Sequence, residues 1–186
     1  DMNRVFLAGD SAQQCVPGVE FRFTEVRKLA NYIGEQEFEK PVELHTNFRY
    51  SEMIRKLSNA VFEKMIRAFP ASADRVADAS LDIGRMRPSY VLGLEKVQRL
   101  LQRNPGFVVL TRDAAHVAEL TTEHACVEIA ESKGLEFTSI IVLDFFSRST
   151  RPKQWKQYLL DEDVLPPEEE RDYEMEAEMK LLFVAV

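Results

Sequence analysis

The run Ser132-Lys133-Gly134-Leu135-Glu136-Phe137 lies between two short apolar stretches, Cys126, Val127 and Ile129 before it and Ile140-Ile141-Val142-Leu143 after it. Such β-branched runs read as buried parallel strands. In open α/β sheets, ligands bind at the loops beyond the carboxyl ends of those strands. There Lys133 offers a cation, Gly134 permits close backbone approach, and Glu136 offers an acceptor suited to a ribose hydroxyl. A strand-connecting turn with a solvated lysine accounts for the same residues equally well. Two further junctions have comparable chemistry. Val5-Phe6-Leu7-Ala8 reads as a strand that ends at Gly9-Asp10 and leads to Gln13. Leu44-His45-Thr46-Asn47-Phe48-Arg49 ends in an aromatic beside an arginine, a pair that can stack a base and hold a phosphate. Without those ligands, Phe48 reads as a core aromatic and Arg49 as a surface ion-pair partner.

The surrounding pattern alternates strand and helix. Strands are expected at 4–8, 42–46, 90–94, 107–111, 126–130 and 138–144. Helices are expected at 24–34, 51–68, 95–103, 112–120 and from about 167. Thr24 is a candidate N-cap and Gly34 a candidate C-terminal stop for the first helix. Ile54, Leu57, Val61 and Met65 keep a helical period in the second. Alternation of this kind implies an α/β fold, a parallel sheet covered by helices on both faces.

Composition narrows the classes. The chain has 186 residues, 45% of them hydrophobic, enough for a sizeable core. No apolar run reaches the roughly 20 residues of a membrane span. No signal-peptide pattern opens the chain, so an intracellular location is expected and no membrane partner. Asp at the start and an apolar run at the end suggest a piece of a longer protein. Cys15 and Cys126 are far apart and match no zinc spacing. His45, His116 and His124 match none either, so no metal site is expected. The net charge is −7, but residues 161–178 hold ten acids and one arginine, which leaves the remainder at +2. A local basic groove for nucleic acid is therefore compatible with the total. Arg148, Arg151, Lys153 and Lys156 beside Trp155 and Tyr158 form a modest basic cluster. A solvated helix face with an aromatic core anchor explains it better.

Taken in order, Gly9-Asp10-Ser11-Ala12-Gln13, Asn47-Phe48-Arg49, Ser132-Lys133-Gly134-Leu135-Glu136-Phe137 and the tail Glu178 to Val186 resemble motifs III, IV, V and the start of VI of UvrD/Rep-like superfamily 1 helicases. Gly18-Val19-Glu20-Phe21-Arg22-Phe23 and Leu143-Asp144-Phe145-Phe146-Ser147 resemble more narrowly the helicase-like region of large TPR-and-ankyrin-repeat proteins. The resemblance implies a RecA-like, P-loop NTPase-type sheet. Residues 1–40 would end a first RecA-like domain, and 41–186 would form most of a second, without a large accessory insertion. It implies catalytic roles for Gln13 and Arg49, nucleotide contacts from Phe48, Arg49, Gly134 and Glu136, and a nucleic-acid contact from Lys133. ATP with Mg would bind the intact parent, with no cofactor held tightly by this piece. Single-stranded nucleic acid and the missing first RecA-like domain would be its partners.

The chain departs from that pattern. It has no Gly-x-x-x-x-Gly-Lys-Ser/Thr phosphate loop and no metal-binding Asp-Glu pair, and its last motif stops at Val186 before the family's Thr-Arg. Ala130-Glu131 stand where a histidine often precedes the motif V turn, which places a carboxylate near the strand track. Two functions follow: a fragment of an ATP-dependent helicase or translocase, inactive on its own, or a non-catalytic scaffold or protein-interaction module in a large repeat protein.

Overall fold

The computed structural model describes residues 7–15, 22–34, 40–75, 79–80, 87–119, 124–160, 165 and 171–186. Within these, helices dominate: α1 (Phe23–Gly34), α2 (Glu52–Ala68), α3 (Leu94–Arg103), α4 (Ala114–Glu119), α5 (Pro152–Leu160) and α6 (Tyr173–Ala185). The strands are short: β1 (Thr46–Asn47), β2 (Ala79–Ser80), β3 (Val108–Thr111), β4 (Cys126–Glu128) and β5 (Ile140–Val142). They form a two-stranded pair, β1 with β2, and a separate open sheet of order β4-β3-β5, all parallel.

The expected RecA-like parallel sheet is therefore overturned. The molecule is predominantly helical, with a small unclosed sheet in place of the broad sheet of a P-loop NTPase core. The reason is visible at the outer segments. Val42 and Leu44 alternate with polar neighbours as a half-buried strand would, yet they are 88% and 89% exposed, and pairing begins only at Thr46. Alternation needs a neighbouring strand and a covering layer to become a strand, and among the described residues this segment has neither. Tyr90 and Leu92, expected in a strand at 90–94, are also exposed outside any strand. Of the strand expected at 4–8, residues 4–6 lie outside the described residues, and Leu7 and Ala8 are outside regular structure.

The core is built around β3. Successive side chains on a strand point to opposite faces. Leu110 joins the main cluster with Met65, Ile66, Trp155, Met175 and Met179, and Val109 joins a smaller one with Val97, Leu101 and Leu143. The apolar stripe of α2 is buried only toward its end: Val61 and Met65 are buried, but Leu57 is 37% exposed. Ala12, in a short 3-10 turn, also lies in the main cluster.

Two polar devices hold the ends of these elements. Asp74 caps α1 from a distance: its carboxylate accepts the Phe23 N–H at 2.8 Å and the Thr24 hydroxyl at 2.9 Å. Its own N–H donates to Ser11 Oγ at 2.9 Å. Thr24, the expected cap, thus lies inside the helix and binds the true one. Asp172 caps α6 in the usual way, accepting from Glu174 N at 2.9 Å.

Candidate functional site

Asn47 builds the first half of the candidate surface. Its Oδ1 accepts the Arg49 N–H at 2.9 Å, and its Nδ2 donates to the Tyr50 carbonyl at 2.9 Å. This Asx turn turns Phe48 and Arg49 outward. The second half follows β4. Ser132 is buried and donates through Oγ to the Ile129 carbonyl at 2.7 Å, and Leu135 N donates to the Ser132 carbonyl at 2.9 Å. Gly134 sits at φ +82°, a left-handed position that glycine takes without strain. The tight turn leaves Lys133, Leu135 and Glu136 exposed.

The two loops meet in one contact. Arg49 Nε lies 2.7 Å from Glu136 Oε1, with both side chains more than half exposed. Phe48, 71% exposed, and Leu135, 54% exposed, are the chain neighbours of that pair. The surface thus combines an aromatic, an aliphatic and a solvent-facing ion pair. Gln13 is engaged elsewhere: its Nε2 donates to Asp10 Oδ2 at 2.7 Å within its own loop. Cavities of about 230 Å³ are found at α3 and beside Cys15 and α6, and Phe48, Arg49, Glu136 and Gln13 line neither of them. Both are below the roughly 300 Å³ at which small-molecule pockets begin.

The most heavily bonded polar cluster escaped sequence reasoning. Glu178 on α6 is buried and binds the Arg112 guanidinium. It also accepts from Ser149 Oγ at 2.5 Å, Trp155 Nε1 at 3.1 Å and Thr150 Oγ1 at 3.3 Å. The Arg112 guanidinium carbon stands 4.6 Å from the Phe145 ring centroid, a cation–π contact. The available signal was a glutamate set among Met175, Met179 and Leu182 on one helix. Next to it, Glu176 and Lys180 pair one turn apart at 2.9 Å, both buried. Buried charges of this kind require partners, so the cluster serves architecture.

Two of the four residues in the basic cluster at α5, Arg148 and Arg151, are paired with carboxylates. Arg151 contacts Asp172 and Glu174, each at 2.5 Å, and Arg148 lies 3.8 Å from Asp113. The hydrogen bond that Arg151 donates to Asp172 raises the Arg151 pKa above its ordinary value. Trp155 and Tyr158 are buried beneath. Cys15 and Cys126 carry thiols rather than a disulfide. Among the described residues, no group of three or more His, Cys, Asp or Glu could hold a metal ion, and no helix is long and apolar enough to cross a membrane.

The human (Homo sapiens) TPR and ankyrin repeat-containing protein 1 is 28% identical over 180 residues, a match covering 84% of this chain and 6% of that protein. The chain therefore corresponds to a small part of that relative's length. No protein-family model matches, and no solved structure matches.

These findings correct the helicase reading. The resemblance to UvrD/Rep-like superfamily 1 helicases rested on short motifs: three fall on local turns and the fourth on helix α6. The fold around them is helical with a small open sheet, and the similarity found lies with the repeat protein. Helicase, RecA-like, P-loop NTPase and ATP-dependent translocase are descriptions this structure does not match.

Proposed function

We propose that this chain is a non-catalytic protein-interaction module of a larger, repeat-containing protein, and that it engages its partner through the surface formed by Phe48, Arg49, Leu135 and Glu136. The observation that carries the reading is the exposure of Phe48 and Leu135 beside the Arg49–Glu136 pair. Aromatic residues and arginine are enriched in protein interfaces and dominate their energetics. Exposed apolar groups edged by charge mark association surfaces. The likeness to a TPR and ankyrin repeat-containing protein supports a setting among repeats, whose stacking creates extended binding surfaces.

The test places a photo-crosslinking phenylalanine analogue at position 48 of the full-length protein in cells. A protein adduct is expected at position 48, lost when Leu135→Glu is added and absent when the analogue stands at the buried position Phe69. No protein adduct at position 48, or one indifferent to Leu135→Glu, would overturn the proposal.

A further inference from the structure

We propose that the outer face of α3 binds an acidic peptide segment, one with carboxylates at positions i and i+3. This surface is separate from the Phe48–Leu135 surface, and the inference does not depend on that reading.

Helix α3 has two faces of different character. Val97 and Leu101 are buried against Val109 and Leu143. Lys96, Arg99, Leu100 and Arg103 follow at i, i+3, i+4 and i+7, which places them on one stripe of the helix. Together they line a cavity of about 230 Å³. Arg99 has a neighbour in Glu95 at 3.5 Å, an exposed pair one turn apart that competes weakly with a ligand. Among the described residues, no carboxylate lies within ion-pair distance of Lys96 or Arg103. This open face therefore presents three cations around Leu100, two of which have no counter-charge within ion-pair distance among the described residues.

Spacing and charge select the occupant. Seven helical residues separate Lys96 and Arg103, about 10 Å along the axis. An extended polyproline-type segment advances about 9 Å over three residues and returns its side chains to the same side. Carboxylates at i and i+3 would thus meet Lys96 and Arg103, while the two residues between them turn away from the helix. A nucleic-acid backbone fits less well. Its binding proteins commonly neutralise about 6–10 phosphates, whereas this stripe holds three cations, has Glu95 beside it, and belongs to a chain of net charge −7.

Fluorescence anisotropy tests this with the whole chain and a fluorescein-labelled peptide of repeating Glu-Leu-Gly. The comparison probes are the same peptide with Gln for Glu, and a single-stranded oligonucleotide. The Glu peptide is expected to bind, to weaken as salt rises across about 50–200 mM, and to exceed both comparison probes. Lys96→Glu with Arg103→Glu should reduce affinity at least about tenfold, and Lys96→Gln with Arg103→Gln by a smaller factor. Lys153→Glu with Lys156→Glu makes the same charge change on exposed positions of α5 and should retain binding. Circular dichroism confirms that each variant is folded; if the Glu pair is not, the Gln pair decides. Equal affinity in the α3 variants, equal loss in the α5 control, equal binding of the Gln peptide, or tighter binding of the oligonucleotide would each overturn the proposal.

Discussion

Arg112, just beyond β3, and Glu178, on α6, form a buried ion pair across 66 positions of sequence, with only 8% and 6% of their side chains exposed. Ser149, Thr150 and Trp155 complete the carboxylate's hydrogen bonds. The pair ties α6, which packs mainly on α2 and the 3-10 turn at Ser11–Gln13, to the end of β3. Removing one partner strands a charge in the core. Glu178→Ala is expected to lower unfolding free energy by about 3–5 kcal/mol, and the joint replacement Arg112→Met with Glu178→Leu by much less. Urea melts of the two variants and of each single change would measure this. Equal loss in the single and joint variants would show that the pair is not coupled.

The Asp74 carboxylate ties α1 to the turn holding Ser11. Asp74→Ala should cost about 1–2 kcal/mol, the usual scale for a lost N-cap. Amide hydrogen exchange should rise first in α1, whose residues are nowhere buried, and leave α6 protected. Uniform acceleration across both helices would mean that Asp74 supports the whole domain.

Arg49 and Glu136 should behave oppositely. Their pair is solvent-facing, so Arg49→Ala and Glu136→Ala should each change stability by less than about 1 kcal/mol. The same substitutions should weaken capture of a partner by the analogue at position 48. A stability loss comparable to that of Glu178→Ala would assign the pair to architecture instead.

Tyr158 supplies a pH dependence. Burial raises its phenol pKa above the ordinary value, with the backbone hydrogen bond at Asp172 opposing that shift in part. The raised pKa belongs to the folded state, so the associated stability is complete below about pH 10 and is lost as pH rises from there through the folded value. Its ring stacks on Phe69 at 5.6 Å, which Tyr158→Phe retains. That variant should show a smaller decline in melting temperature above about pH 10; an identical decline would place the alkaline sensitivity elsewhere.

The sequence by itself determined helices α1 to α4 and the local turns. Charged and apolar periodicity located α2 and α3 to within a residue or two. Asn47 and Gly134 fixed tight turns through interactions with immediate neighbours. Those turns then read as helicase motifs, because short motifs report local geometry and that geometry recurs on many folds. Tertiary structure decided everything that needs a distant partner. Val42 and Leu44 have the alternation of a strand but lie exposed, since alternation does not specify what will cover them. Asp74 caps a helix that begins 51 positions earlier in the chain. Glu178 is a core anchor rather than part of a solvated acidic run, because Arg112 and Trp155 are brought to it by the packing of α6 against the rest. Local propensity is written residue by residue. The desolvation of a charge depends on which distant groups arrive to satisfy it.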